Sequence, residues 1–113
     1  MKFRVKKEHK SNYSNPIRFE AGDTVLLGEL DNEYEGWIRA TTPDGNEGWA
    51  PVSFVRASDD GRQGTALRSY SAQELNVAPG QLLLVKQELN GWYWCVSNNG
   101  DSGWVPKHIG AIE

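Results

Sequence analysis

Two tryptophans and a proline recur at one spacing, and these residue types are suited to an apolar recognition surface rather than to an active site. An indole offers a large apolar area with a polar tip, and a proline offers a rigid neighbouring wall. The intervening glycines recur at the same offset of 55 positions, which indicates one small folding unit present twice. The repeated residues are Trp37, Trp49 and Pro51, and then Trp92, Trp104 and Pro106.

The residues that commonly carry catalysis are few and scattered. Cys95 is the single cysteine, which excludes an internal disulfide, and its alignment with Ala40 predicts a small, buried and inert core position. His9 and His108 lie in different repeats, with no carboxylate or cysteine at metal-ligand spacing. No paired acids, Ser/His/Asp set or phosphate-binding glycine loop occurs. We therefore predict a protein that is not an enzyme and has no metal and no cofactor.

The charge balance argues against a nucleic-acid-binding protein. The chain has 113 residues, with 12 Lys and Arg against 15 Asp and Glu and a net charge of −3, whereas binding to phosphates needs a basic face. The alternating Lys2, Arg4 and Lys6 are the only support for such binding, and they are interpreted as one solvated strand face. No apolar stretch could span a bilayer and no signal peptide is evident, so we expect a cytoplasmic protein without membrane attachment.

Short apolar runs broken by turn residues, without helical periodicity, predict an all-β chain. A long polar loop is expected at 8–18. Turns are expected at Pro43-Asp44-Gly45 and at Asn99-Gly100, the second as a two-residue hairpin. The predicted strands are 2–7, 23–27, 37–41, 47–50, 66–70, 82–87, 92–96 and 102–105.

The repeat divides the chain into two small domains, expected at 1–57 and 65–113. The segment 58–64 is predicted to be a short linker because it is rich in Ser, Asp and Gly. Domains of this size bury only about 60% of their unfolded surface, so we expect the two to be packed close together. Strand alternation places Trp94 on the same face as Trp92, which predicts a contact either between the domains or with a partner.

The ordered set of motifs resembles the Src homology 3 (SH3) family over nearly the whole chain. Ala66-Leu67-Arg68-Ser69-Tyr70 is similar to the Ala-Leu-Tyr-Asp-Tyr opening of that family, and the run 100–106 is similar to its Gly-x-x-Gly-aromatic-aliphatic-Pro segment. The long loop of the first repeat, with Ser11-Asn12-Tyr13, resembles the bacterial branch. The resemblance implies two tandem five-stranded barrels without catalytic activity, whose aromatic grooves bind proline-rich segments in the polyproline II conformation.

The resemblance also implies which side chains line each groove. The first tyrosine of the opening motif is replaced by Lys7 and Arg68, and the last aromatic is Phe54 in one repeat but Ile109 in the other. Loss of these rigid walls predicts a shorter or different ligand than the usual PxxP segment. The implied ligand-binding residues are His9, Glu33, Glu35, Trp37, Trp49, Pro51 and Phe54 in the first repeat, and Tyr70, Trp92, Trp104 and Pro106 in the second.

The loop that flanks Trp37 carries four acids, Glu29, Asp31, Glu33 and Glu35. In the SH3 family, acids beside this tryptophan accept an Arg or Lys of the ligand, mainly through steering and specificity. The alternative is a simple solvated charge cluster. The second repeat has only Glu74 and Glu88 in comparable loops, so the two sites should prefer different ligands.

We therefore expect a non-catalytic protein-interaction module that docks an extended protein or peptide segment, either Pro-rich or bearing Arg or Lys. Three alternatives stay open. The grooves could serve packing between the repeats, or between two chains of a homo-oligomer, in a compact scaffold. Nucleic-acid binding is opposed by the net charge. Cell-wall binding, a function of bacterial relatives, is weakened by the lack of an export signal.

Overall fold

The computed structural model describes residues 1–11 and 14–113, and this part of the chain contains no α-helix. Its regular structure is short β-strands and two single 3₁₀ turns, at Val52–Phe54 and Lys107–Ile109. The all-β class predicted from the sequence is confirmed. In chain order the strands are β1 (Lys2–Val5), β2 (Arg18–Phe19), β3 (Thr24–Leu30), β4 (Trp37–Thr41), β5 (Glu47–Pro51), β6 (Val55–Ala57), β7 (Gln63–Ala66), β8 (Tyr70–Ser71), β9 (Leu82–Leu89), β10 (Trp92–Val96), β11 (Ser102–Pro106) and β12 (Gly110–Ile112).

Two local predictions are wrong. The segment 66–70 is not one strand, because β7 ends at Ala66 and β8 begins at Tyr70. The hairpin at Asn99-Gly100 has a three-residue loop, since the Ser97 N–H donates to the Asp101 carbonyl at 2.8 Å and Gly100 has a φ of 90°. Asn12 and Tyr13, within the predicted loop 8–18, lie outside the described residues.

The chain forms two compact units whose bounds differ from those of the sequence repeats. The continuous unit is Asn15–Ala72, and the split unit is Met1–Ser14 together with Gln73–Glu113. Each contains an antiparallel five-stranded sheet, in the order β5-β4-β3-β7-β6 in the continuous unit and β11-β10-β9-β1-β12 in the split unit. The first strand of each repeat therefore lies in the sheet of the other repeat, an arrangement that we call the strand exchange.

Side-chain sizes favour the strand exchange. Gly110 leaves room for Phe3 of β1, because a Cβ atom on Gly110 would come within 2.7 Å of Phe3 Cζ. In the continuous unit, β7 carries Gly64 at the position that Phe3 occupies in β1. The space beside Gly64 is filled by the Leu27 side chain, which lies 3.0 Å from where a Cβ atom would be. Without the exchange, Phe3 would compete with Leu27 for space and two glycines would face each other. Overpacking and cavities each destabilise a core by a few kcal/mol, in round terms about 1–5.

Charge pairing favours the same arrangement. Arg4 Nε donates to Glu113 Oε2 at 2.7 Å, and Arg4 Nη1 donates to the Gly80 carbonyl at 3.0 Å, all within the split unit. The residue of the first repeat equivalent to Glu113 is Ser58, which offers no carboxylate. The hydrogen bond from Arg4 lowers the pKa of Glu113 below its usual value. Because both side chains are nearly half exposed, this ion pair contributes more to the choice of strand partner for β1 than to stability.

Each hydrophobic core combines side chains of both repeats. In the split unit Phe3 and Val5 pack with residues contributed by the second repeat, and Cys95 lies in this cluster with no exposed surface. Burial raises the pKa of the Cys95 thiol to about 11, so it is protonated at neutral pH and the predicted inert core cysteine is confirmed. The large buried side chains of the continuous unit are Ile17, Phe19, Val25 and Phe54 from the first repeat and Tyr70 from the second.

Candidate functional site

In each unit a tryptophan lies directly opposite a proline on neighbouring antiparallel strands. Trp37 of β4 is in register with Pro51 of β5, and Trp92 of β10 is in register with Pro106 of β11. Directly opposed residues have Cβ atoms only about 4.5–5.5 Å apart, so each indole adjoins its proline. Both tryptophans are partly exposed and both prolines are buried. Each pair can therefore form the floor and one wall of an apolar groove.

The two prolines also fix the position of the next apolar side chain. Pro51 and Pro106 have extended conformations with φ of −66° and −68°, and each precedes a single 3₁₀ turn. Such a φ is the value that the pyrrolidine ring imposes. The turns bring Phe54 and Ile109 inward, where each is only 4% exposed. The same local sequence pattern thus builds the same framework in both units.

In the continuous unit this framework is completed by the second repeat. Pairing of β8 with β2 places Tyr70 opposite Phe19, with ring centroids 5.6 Å apart. Tyr70 also meets Phe54 edge to face at 5.8 Å. The Arg68 guanidinium lies 4.4 Å from the centre of the Phe54 ring, so a cation–π contact covers one face of this ring.

In the split unit the corresponding ring comes from the first repeat. The His9 backbone exchanges two hydrogen bonds with Val77, of 3.1 and 2.9 Å. This places the imidazole 6.0 Å from the Trp92 ring, nearly perpendicular to it. His9 Nε2 and Glu74 Oε1 are 2.7 Å apart, and their side chains are only 18% and 13% exposed. The ring beside Trp92 is therefore also part of a sheltered polar pair.

The two candidate grooves are composite, each built from both repeats. His9 lies with Trp92 and Tyr70 lies with Phe54. The resemblance grouped His9 with Trp37, and Tyr70 with Trp92, but these pairs fall in different units. This regrouping follows from the strand exchange. His9 follows β1 in the chain and lies with it in the split unit, and Tyr70 follows β7 and lies with it in the continuous unit. The reciprocal sizes of Phe3 and Gly64 were the sequence signal that could have indicated it.

A second ring contact lies beside each groove, on the strands that carry the tryptophans. In the continuous unit the Arg39 guanidinium lies 5.4 Å from the Trp49 ring centroid. In the split unit Trp94 packs edge to face on Trp104 at 5.2 Å, across paired strands. Trp94, for which we expected a contact between the domains or with a partner, thus has a ring neighbour inside its own unit. Trp104 is 5% exposed, whereas Trp49 is partly exposed.

The acidic loop of the continuous unit is held at its base and open at its tip. Asp31 Oδ1 accepts the backbone N–H groups of Glu33 and Tyr34, at 2.8 and 3.2 Å. The Asp31 N–H donates to the Trp37 carbonyl at 2.9 Å, which connects the loop to the groove strand. Glu33 and Glu35 are exposed, and neither forms an ion pair with any residue in the ranges 1–11 and 14–113.

The split unit replaces this loop by a two-residue turn. Asn90 and Gly91 have φ of 48° and 91°, the left-handed values that a tight hairpin requires. Glu88, at the end of the preceding strand, pairs with Lys107. The Lys107 ammonium also lies 5.1 Å from the Tyr93 ring centroid. Glu88, near this groove, is therefore paired with a cation of the same unit.

Two further observations concern the described part of the chain. No group of three or more His, Cys, Asp and Glu residues is placed there to hold a metal ion. No helix in it has the length and apolar character needed to cross a membrane.

Five-stranded antiparallel sheets with a Trp–Pro groove define a class of small β-domains that offer an aromatic binding surface. Within that class the chain belongs to the SH3 family, because the model of the variant SH3 domain matches residues 2–58 and again 66–109. The two matches follow the sequence repeats, so the tandem arrangement inferred from the repeated motifs is confirmed.

Similarity to known proteins extends over most of the chain. Human intersectin-1 is 28% identical over 123 aligned positions, and the mouse SH3 and PX domain-containing protein 2B is 25% identical over 112; each alignment covers 88% of this chain. The chain spans 7% of the length of the first relative and 12% of the second. No solved structure gave a significant match.

Proposed function

We propose that this protein is a non-catalytic interaction module whose two composite grooves each dock an extended protein segment. Membership of the SH3 family supports the general role, because SH3 domains are protein-interaction modules. The segment would lie across Trp37 and Pro51 in the continuous unit and across Trp92 and Pro106 in the split unit. A preformed polyproline II segment fits such a groove at low entropic cost.

The observation that carries this proposal is the pairing of a partly exposed tryptophan with a buried proline in both units. A core tryptophan would be fully enclosed, whereas Trp37 and Trp92 keep accessible surface beside a rigid apolar neighbour. Partly exposed aromatic side chains of this kind commonly dominate binding energy at interfaces. The covered walls at Phe54 and Ile109 support a ligand with fewer proline contacts than a full PxxP segment.

The acidic loop supports a cationic residue in the ligand of the continuous unit. Glu33 and Glu35 are exposed and form no ion pair within the described residues, and Asp31 connects their loop to Trp37. An arginine or lysine that flanks the docked segment would lie near these carboxylates. Such surface charges act mainly on association rate and selectivity and lose effect as salt rises.

Titration of short peptides into isotope-labelled full-length protein tests the proposal. We expect Pro-rich peptides, with or without an arginine, to shift backbone amide signals around Trp37 or Trp92. Trp37→Ala should weaken binding at the continuous unit at least tenfold, or about 1.4 kcal/mol, and leave the split unit unchanged. Trp92→Ala should do the converse. Peptide docking is ruled out if no such peptide shifts the amides around either tryptophan.

A second candidate function, a scaffold whose groove positions serve packing, is favoured by one observation. Phe54 and Tyr70 come from different repeats, pack on each other, and are only 4% and 8% exposed. Acrylamide quenching of tryptophan fluorescence separates the two candidates. Variants that retain only Trp37 or only Trp92 should be readily quenched in a binding module and protected in a scaffold.

Nucleic-acid binding is less compatible with the side-chain contacts. Arg4, the centre of the basic N-terminal strand, directs its guanidinium to Glu113 and to a backbone carbonyl. A cytoplasmic location, a bacterial origin and a homo-oligomeric state stay predictions from the sequence, as does the identity of the protein partner. A steep fall of RNA affinity with salt would favour the nucleic-acid alternative.

A further inference from the structure

The carboxylates beside the two grooves differ in whether a side chain of the protein already pairs with them. In the split unit, Glu74 is hydrogen bonded to His9 and Glu88 pairs with Lys107. In the continuous unit, Glu33 and Glu35 have no ion pair within 1–11 and 14–113. We propose that His9 and Lys107 are built-in partners of these carboxylates, so that the split unit gains no affinity from an arginine or lysine in the ligand. The inference rests on the proposed peptide-binding function and assigns different charge preferences to the two grooves.

Glu74 is the more sheltered of the two carboxylates. Its side chain is 13% exposed, and its position is fixed by the hydrogen bonds between the backbones of Gln73, Leu75 and Trp104, of 2.9 and 3.0 Å. An ionised carboxylate can only accept hydrogen bonds, so the proton of the 2.7 Å contact belongs to His9 Nε2. A ligand guanidinium that takes the Oε1 site of Glu74 must displace that imidazole, which also packs edge to face on Trp92. Displacing the imidazole would break a sheltered hydrogen bond, and the cost of breaking it opposes binding of a ligand cation.

Glu88 is neutralised at the other end of the groove strands. Lys107 directly follows Pro106, and its ammonium contacts both the Glu88 carboxylate and the Tyr93 ring. At the equivalent position the continuous unit has Val52, which is 39% exposed and carries no charge. A cation next to the groove proline repels a second cation brought by the ligand. Lysine at this position of the split unit, where the continuous unit has valine, therefore disfavours a ligand cation, as the His9 contact also does.

The continuous unit has no equivalent of either pair. Tyr70 and Pro16 occupy the positions that correspond to His9 and Glu74. Its two groove cations, Arg39 and Arg68, lie over the rings of Trp49 and Phe54. Guanidinium groups stacked on rings leave the acidic loop available to a cation of the ligand.

The strand exchange creates the His9–Glu74 contact. His9 belongs to the first repeat and Glu74 to the second, and they meet because the segment after β1 pairs with the segment before β9. In an unexchanged chain His9 would face Pro16 and Tyr70 would face Glu74. The exchange thus moves the imidazole to the carboxylate and the phenol ring to Phe19 and Phe54.

Two synthetic peptides test the inference on the full-length protein. Both are Pro-rich and of equal length, and they differ only in having arginine or glutamine at one flanking position. We expect the arginine peptide to bind the continuous unit at least fivefold more tightly than the glutamine peptide, and the split unit to show no preference for arginine. Amide shifts near Trp37 and near Trp92 report the two grooves separately.

His9→Tyr introduces the residue found at the equivalent position of the second repeat and frees Glu74. It should raise the affinity of the split unit for the arginine peptide about fivefold, with no gain for the glutamine peptide, and Glu74→Gln in the same chain should remove the gain. Glu74→Gln alone should change the affinity of either peptide less than twofold. The reciprocal pair Lys107→Val and Val52→Lys should raise arginine preference in the split unit and lower it in the continuous unit.

The inference is overturned if the wild-type split unit already prefers the arginine peptide, or if Glu74→Gln alone weakens arginine-peptide binding there. It is also overturned if a folded His9→Tyr variant shows no gain. In each of these cases peptide docking itself stands, because binding is observed. Absence of binding by both peptides at both grooves contradicts the proposed function and, with it, this inference.

Discussion

The continuous and split units share one framework but differ in what surrounds it. Both place a tryptophan opposite a proline and follow that proline by a 3₁₀ turn with a buried apolar residue. Around this framework the continuous unit has aromatic rings, guanidinium groups that lie over rings, and an acidic loop whose Glu33 and Glu35 form no ion pair within the described part of the chain. The split unit has hydrogen-bonded and paired carboxylates and a tight turn. The comparison teaches that strand pairing builds the common framework, whereas the residues around it set the charges beside it.

Substitution of one equivalent glycine in each unit should give the largest contrast. A Cβ on Gly103 would lie 2.7 Å from the Leu75 nitrogen and 2.8 Å from the Glu74 carbonyl carbon, backbone atoms that cannot rotate away. A Cβ on Gly48 would meet only the Ile17 side chain, at 3.1 Å. We expect Gly103→Ala to destabilise the split unit by about 3 kcal/mol and Gly48→Ala to cost about 1 kcal/mol in the continuous unit.

Native-state amide hydrogen exchange, read separately for the two units, measures both effects. Equal loss of protection in the two variants would contradict the closer approach of β11 than of β5 to its neighbouring segment. An effect of Gly103→Ala on amides of residues 15–72 alone would contradict the assignment of β11 to the split unit.

A small, pH-dependent contrast should come from the Arg4–Glu113 pair, which has no counterpart at Ser58 in the continuous unit. The hydrogen bond from Arg4 lowers the pKa of Glu113. A carboxyl with a lowered folded-state pKa stabilises the fold above its unfolded pKa, and this contribution is lost as the pH falls through the folded value. Glu113→Gln should therefore lower the Tm slightly at neutral pH, and the difference from wild type should disappear at acidic pH.

Thermal unfolding of wild type, Glu113→Gln and the exposed control Ser58→Ala between pH 7 and pH 3 checks this expectation. A Glu113→Gln deficit that grows on acidification would have the wrong sign for a carboxylate stabilised in the folded state. The exposure of both side chains and their screening by salt keep the expected shift small.

The sequence was sufficient to predict the framework. Alternating strands, the turn glycines and the doubled Trp, Gly, Trp, Pro pattern predicted the all-β class, the tandem SH3 domains and the buried Cys95. These features depend on local periodicity and on residues close together in the chain. The carboxylates of the acidic loop were also evident as a cluster next to Trp37.

The composition of each groove was not predicted, because it depends on which repeat supplies the first strand. Both repeats present the same backbone hydrogen-bonding edge to that strand, so a repeat alignment cannot distinguish exchanged from unexchanged pairing. The distinction lies in side chains far apart in sequence, such as Phe3 with Gly110 and His9 with Glu74. The hairpin at Asn99-Gly100 was predicted one residue too short, because the same dipeptide occurs in two-residue and three-residue loops.

Disulfide trapping tests most directly that each barrel and its groove contain strands of both repeats. Lys2 of β1 is paired with Leu84 of β9, whereas the equivalent residue of the first repeat, Leu26, is paired with Gln63. Opposed residues of antiparallel strands lie within disulfide reach. In a Cys95→Ala background, Lys2→Cys with Leu84→Cys should oxidise readily within the monomer, and Lys2→Cys with Leu26→Cys should not. Mass spectrometry of the oxidised monomers would contradict the strand exchange if the second pair formed the bond and the first did not.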